Sequence, residues 1–197
     1  WGWGALKEAR RRISQYYDDH AEKRLKYIEN NRYFYGLIER IFAHFIALDR
    51  RVLQLGCVNG FFLPAVRAKE GVCIDQSQRI LDLYETKFPN YTYYCANEET
   101  LPELAPFDHI IITNNGDTVD IFDSLVELKK VTRPDTRLFI YNYNRQWEPL
   151  IKLAERLKLK FPQPERNWFS TTDIENLLRI SGYEPVKTYR RVLVPYA

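Results

Sequence analysis

Methionine is absent from the whole chain, and cysteine is scarce: Cys57, Cys73 and Cys95 are three in 197 residues. They show none of the paired spacing of zinc sites, so no metal is expected, and their odd number offers no disulfide framework. A reducing, cytoplasmic setting is the expectation. Long apolar runs are missing too. The longest, Ile41 to Leu48, contains His44 and falls far short of the roughly 20 residues a membrane helix needs, so no membrane span is expected. No charged-then-apolar leader opens the sequence, which leaves secretion without support. Charge of one sign is not in excess: 29 basic against 26 acidic residues leave a formal +3, too little to mark the whole molecule as a nucleic-acid binder. Internal repeats and low-complexity segments are also absent.

What is present reads as one ordinary globular domain, 45% hydrophobic and 28% charged. Residues 5–49 have helical periodicity, with Ile28, Phe34, Tyr35, Ile38, Ile41, Phe42 and Phe45 recurring at helical spacing. From Arg51 the pattern changes to short apolar strands separated by helices. Val52–Leu55 is a strand, followed by a predicted helix from Phe61 to Lys69 with Pro64 in its first turn. Val72–Ile74 is a second strand ending at Asp75, and Ser77 is placed to cap a helix reaching Phe88. Further strands are expected at Tyr91–Cys95, His109–Thr113 and Arg137–Asn142, with a helix at Ile121–Val131 between the last two. Helices at Trp147–Leu159 and Thr171–Ser181 follow, the latter capped by Thr171 or Thr172 and stopped by Gly182, and Pro185–Val194 is a last β segment. Strands alternating with helices predict an α/β fold with a doubly wound, mostly parallel sheet.

In such a sheet ligands lie beyond the carboxyl ends of the strands, at the switch point. There the first strand runs into Gln54-Leu55-Gly56-Cys57-Val58-Asn59-Gly60-Phe61, and the second ends in Asp75. Glycines admit close backbone approach, and a strand-end carboxylate can accept hydrogen bonds from both hydroxyls of an adenosine ribose. A nicotinamide dinucleotide site calls for Gly-x-Gly-x-x-Gly, and Gly56 and Gly60 do not meet that spacing. Asp75 as a mere helix cap, and the glycines as a bare tight turn, are the structural alternatives.

The glycine turn, the Val72-Cys73-Ile74-Asp75-Gln76-Ser77 segment and Gly182-Tyr183-Glu184-Pro185-Val186 together resemble the class I S-adenosylmethionine-dependent methyltransferases. Phe107–Ile112 and Arg133–Tyr141 are similar to that family's fourth and fifth strands, so the resemblance spans Arg51 to Arg191. It implies a Rossmann-like core at 50–197, an N-terminal helical lid at 1–49 within one domain, and S-adenosyl-L-methionine as cofactor. It further implies cofactor contacts from Gln54, Gly56, Asn59, Gly60, Asp75, Gln76, Asn97, Glu98 and Asn114, the Cys95-Ala96-Asn97-Glu98 stretch resembling the adenine-edge segment. Two positions depart from the family pattern. Gln54 stands where an acid is usual, removing a charge that would hold the ligand ammonium, and Val58 stands in place of the middle glycine.

Tyr16-Tyr17-Asp18-Asp19-His20-Ala21-Glu22 is similar to the lid segment of small-molecule members, making Tyr17 and His20 candidate substrate contacts. Tyr143, Asn144 and Trp147, just past the fifth strand, are others, although helix packing accounts equally well for Trp147. The Arg10-Arg11-Arg12 and Lys23-Arg24-Lys26 runs are interleaved with acids and read as solvated helix faces. No catalytic side chain stands out, as suits transfer from a sulfonium, already a good leaving group. The expected activity is methyl transfer to a small molecule, lipid head group or glycan. The alternative is a degenerate, noncatalytic module of the same fold within a longer protein.

Overall fold

The computed structural model describes residues 3–97, 100–113, 120–157, 160–162 and 167–189. Three helices open the chain: α1 (Trp3–Asp19), α2 (Ala21–Asn30) and α3 (Arg32–Phe45). Their buried residues fall three or four apart, namely Ile13, Tyr17, Ala21 and Arg24, then Phe34, Tyr35, Ile38 and Phe42. That spacing lays one stripe per helix against the core. The α/β part follows in the order β1 (Arg51–Leu55), β2 (Glu70–Asp75), α4 (Gln78–Lys87), β3 (Thr92–Cys95), β4 (His109–Ile112), α5 (Ile121–Glu127) and β5 (Arg137–Ile140). After β5 come α6 (Glu148–Arg156) and α7 (Thr171–Ile180).

The five strands form one sheet in the order β3-β2-β1-β4-β5. Every pairing is parallel. This is the doubly wound arrangement that the sequence predicts, with the order reversing between β1 and β4. The two-residue strand period sends alternate side chains to opposite faces. Val52, Cys73 and Ile111 join one core with the stripes of α1–α3 and with Ile80 and Leu81 of α4. Leu53, Leu55, Val72, Ile74, Ile110 and Ile112 join a second core with Leu125 of α5 and with Leu128 and Val131. Gln54 shares the face of Val52.

Caps mark the helix ends. Ser77 Oγ accepts from Ile80 N at the start of α4. On α7 the cap is Ser170, one residue ahead of the expected threonines, in a reciprocal capping box with Asp173. Its side chain has the free N–H of Asp173 within reach, whereas Thr171 and Thr172 already lie inside the helix. Gly182, at φ +78°, follows α7 in the left-handed region that glycine adopts without strain.

Four expectations differ from the structure. The helix predicted from Phe61 to Lys69 does not form; the segment is a set of turns. Arg67 turns back at φ +48°, outside the helical region, and Phe62 N is held by the Gln54 side chain. The helix predicted over 121–131 tightens to a 3₁₀ turn at Leu128–Val131, and the one predicted from Trp147 begins with a 3₁₀ turn at Arg145–Trp147. Residues 185–189 of the expected last β segment carry no strand, and 190–194 lie outside the described residues. Pro185 has no N–H for a ladder, and Thr188 Oγ1 donates instead to Glu175 on α7.

Candidate cofactor and substrate site

Parallel strands deliver their following loops to one edge, and at that edge β1 runs into Gly56–Gly60. Gly56 and Gly60 sit at φ +75° and +124°. A Cβ on Gly60 would stand 2.7 Å from the Phe62 ring, so this glycine is required twice over. Gln54 is fully buried and spends its whole amide inside the loop. Its Nε2 donates to Gly56 O (2.9 Å) and Gly60 O (2.7 Å), while its Oε1 accepts from Phe62 N (2.9 Å). An aspartate, having no donor, could not make the first two bonds.

Asp75 closes the loop from the other side. Its Oδ2 accepts from Cys57 N (2.7 Å) and Val58 N (3.2 Å), and its Oδ1 from Ser77 N (2.9 Å). The carboxylate is fully buried, and burial raises its pKa against the pull of those three N–H donors. Thr113, past the end of β4, donates through Oγ1 to Gly56 O (2.6 Å). Asn59 Nδ2 donates to Thr113 O (3.1 Å). Gln54, Gly56, Asn59, Gly60 and Asp75 are thus drawn into one hydrogen-bonded knot. Burial raises the pKa of both Cys57 and Cys73, so their thiols stay protonated and neither is a nucleophile.

Gln76 and Asn97, at the ends of β2 and β3, are half-buried at the same edge. Gln76 O accepts from Ser14 Oγ of α1 (2.7 Å), and Asn97 Oδ1 accepts from Thr100 Oγ1 (2.8 Å). Glu98 and Asn114 lie outside the described residues. The opening helices are docked over this edge by specific bonds. Asp18 accepts from Ser77 Oγ (2.6 Å) and Arg79 N (3.0 Å), the Arg79 guanidinium meets Glu22, and Tyr16 OH donates to Pro162 O (2.9 Å).

One residue of this region escaped the sequence reading. Arg24, taken as part of a solvated face, is only 3% exposed. Its Nε donates to Val58 O (2.8 Å), and its Nη2 to Asn59 Oδ1 (2.9 Å) and, more weakly, to Tyr35 OH (3.4 Å). Its guanidinium carbon stands 5.4 Å from the Tyr27 ring centre and 5.6 Å from that of Phe161. Burial pulls its pKa down, and the phenols of Tyr35, Tyr17, Tyr143 and Tyr27 more than offset this, leaving it a firm cation. The available signal was register: Arg24 continues the buried series Ile13, Tyr17, Ala21.

Of the expected substrate contacts, Tyr17, His20 and Tyr143 gather around this arginine. Tyr17 is fully buried. His20 stacks on Tyr16 (4.5 Å) and meets Phe161 edge-on (6.1 Å), and Tyr143 lies under the Lys160 ammonium (5.5 Å). Asn144 lines a different feature, a groove of about 490 Å³ shared with Arg145, Gln146, Glu148, Pro149, Ser170, Thr171 and Thr172. Its side chain is tied up there, accepting from Gln146 N and donating to Thr171 Oγ1. Trp147 is 38% exposed and is not among the residues lining the groove. Among the described residues no group of three or more His, Cys, Asp or Glu is placed to hold a metal, and no helix is long and apolar enough to cross a membrane.

No family model matches the sequence. No curated protein matches it either. Solved structures do match in fold. An S-adenosylmethionine-dependent methyltransferase from Thermotoga maritima superposes with a TM-score of 0.71 at 18% identity, over 88% of this chain and 82% of that one. Magnesium protoporphyrin IX methyltransferase from Synechocystis PCC 6803, solved with S-adenosylhomocysteine, gives 0.65 at 13% identity over 93% and 94%. A Burkholderia thailandensis 1,6-didemethyltoxoflavin-N1-methyltransferase, solved with its substrate and S-adenosylhomocysteine, gives 0.54 at 16% identity over 80% and 69%. The five parallel strands and their helices are therefore those of the class I S-adenosylmethionine-dependent methyltransferase fold.

Proposed function

We propose that the chain is an S-adenosylmethionine-dependent methyltransferase acting on a small molecule, lipid head group or glycan. The observation that carries this reading is the glycine turn at the switch point, with a buried carboxylate ending the neighbouring strand. An adenosine would be met by Gln76 and Asn97, which offer half-buried polar side chains at the ends of β2 and β3, above a loop that the fully buried Asp75 holds in shape. When bound, the cofactor supplies a methyl group on a sulfonium that departs as a neutral thioether. The chain then needs to orient the acceptor and exclude water rather than to provide a base.

In this reading residues 1–49 are the lid and 50–197 the core of one domain. Tyr17, His20 and Tyr143 contact the acceptor, with Asn144 and Trp147 further out. The three unpaired thiols suit a reducing, cytoplasmic setting. Calorimetry with S-adenosylmethionine, S-adenosylhomocysteine and NAD is the test. Binding of the first two with no heat from NAD is expected, and no heat from either sulfur ligand at millimolar concentration defeats the reading.

The internal use of Gln54 and Asp75 favours a second reading, a noncatalytic module whose loop is closed upon itself. Failure to bind either sulfur ligand would promote it.

A further inference from the structure

Buried guanidinium groups are nearly always matched by a carboxylate or another anion, because hydrogen bonds to neutral oxygens do not cancel a unit charge. Among the described residues Arg24 has no such match. Its interactions there are with a backbone carbonyl, an asparagine, a phenol and two aromatic rings, and no acidic group pairs with it. Its Nη1 is buried with no hydrogen-bond partner among those residues. An orphaned donor on a buried cation is a feature that calls for an explanation.

The surroundings sharpen the point. The nearest carboxylate in the loop, Asp75, is committed to the N–H groups of Cys57, Val58 and Ser77. The other cation nearby, Lys160, already meets Glu155 at 3.1 Å. If the methyl-transfer reading holds, on which this inference rests, the cofactor makes the imbalance worse. Its amino-acid end is a zwitterion with no net charge, and its sulfonium adds a second positive charge beside the first. An anionic methyl acceptor would bring a net negative charge to offset them.

We propose that Arg24 anchors an anionic group of the acceptor, so that the substrate is a small organic carboxylate or phosphate. The aromatic side chains around the arginine suit an acceptor with a flat, apolar body. Tyr27 and Phe161 face the guanidinium, and Tyr17 and Tyr143 lie within its electrostatic reach. The fork of Arg24 offers the free Nη1–H groups to a carboxylate or phosphate oxygen, while Nε and Nη2 remain on the loop. Acceptor binding and loop position would then be linked through one side chain.

The test uses the whole chain saturated with S-adenosylhomocysteine, with benzoate and phenyl phosphate as anionic probes and benzamide as their neutral counterpart. The expected result is that at least one anion binds tenfold or more tighter than benzamide. Which of the two does so separates a carboxylate from a phosphate acceptor. That preference should vanish in Arg24→Gln and persist in the surface control Arg179→Gln, on the exposed side of α7. Equal binding of anions and benzamide, or a preference that survives in Arg24→Gln, overturns the proposal. If Arg24→Gln does not fold, Arg24→Lys decides: a preference weakened fivefold or more supports the anchor, and an unchanged one overturns it. Methylthioadenosine, which lacks the amino-acid group, guards against misassignment. Should Arg24→Gln lose only the preference for S-adenosylhomocysteine over methylthioadenosine, the arginine serves the cofactor and the proposal falls. Arg24-dependent anion binding by a chain that ignores S-adenosylhomocysteine would keep the anion site and remove the methyl-transfer reading instead.

Discussion

The two faces of the sheet are buried to similar depth but are built from different chemistry. The face covered by α5 and the turn after it is aliphatic, with Leu53, Leu55, Val72, Ile74, Ile110, Ile112, Leu125 and Leu128 packed around Phe107. The face covered by α1–α4 is aromatic, carrying Tyr17, Phe34, Tyr35, Phe42, Phe61, Phe62 and Tyr84. Buried beside these are Arg24, Gln54, Asn59 and Asp75. An aliphatic layer only has to exclude water. The polar groups on the other face must each find partners in fixed positions, and aromatic side chains build walls around them while still burying area. The opening helices therefore complete a core as well as cover a site.

Removing residues 1–49 should break this comparison most severely. It strips Tyr17, Ala21, Phe34, Tyr35, Ile38, Phe42 and Ile46 from the aromatic face. At about 1.5–3 kcal/mol for each large side chain, the loss is as large as the roughly 5–15 kcal/mol that holds a domain together. The truncated chain should show no cooperative melting, and a sharp melt would mean that the helices are a detachable lid.

Next in size is Gln54→Asp. It leaves Gly60 O without its side-chain donor, leaves Gly56 O with Thr113 alone, and sets a carboxylate against both carbonyls in a fully buried position. A cost of about 3–5 kcal/mol is expected, lowering the melting temperature by about 10 °C. Equal or greater stability would show that the loop can reopen around a charge. Asp75→Asn should be milder, because one acceptor oxygen survives. With at least one backbone N–H losing its partner, about 1–3 kcal/mol is expected, read as a shift in denaturation midpoint at constant slope.

On the exposed rim, Ser170→Ala removes one half of the α7 capping box and should cost about 1 kcal/mol. The smallest effect belongs to His109 at the start of β4, whose two ring nitrogens are buried without hydrogen-bond partners among the described residues. Burial, helped by Arg50 and Arg137 and opposed by Asp108, holds its pKa below the ordinary 6.5. The unfolded chain therefore takes up this proton first. Stability attributable to His109 is full above pH 6.5 and declines as pH falls below that value toward the folded-state pKa. His109→Phe should remove that part of the pH dependence, and melts from pH 7 to 5 that fall in parallel for both proteins would contradict it.

Sequence by itself determined five of the expected strands, their parallel direction and most of the helices between them, because each rests on a local pattern or a local cap. The short, largely apolar runs Val52–Leu55 and His109–Ile112, the Ser77 cap and the Gly182 stop all act within a few residues. The position of the glycine turn and of Asp75 at neighbouring strand ends was legible for the same reason. What those side chains touch was decided only in three dimensions. Gln54 finds its partners across the turn, at Gly56 O, Gly60 O and Phe62 N, and the helix expected over 61–69 gives way to turns where Arg67 takes φ +48°. Arg24 looks solvated among charged neighbours until α2 packs against the loop, and then a residue 34 positions away receives its hydrogen bond. Burial is a property of the assembled layers, so the buried charge of Arg24 became visible only once the helices had closed over the sheet.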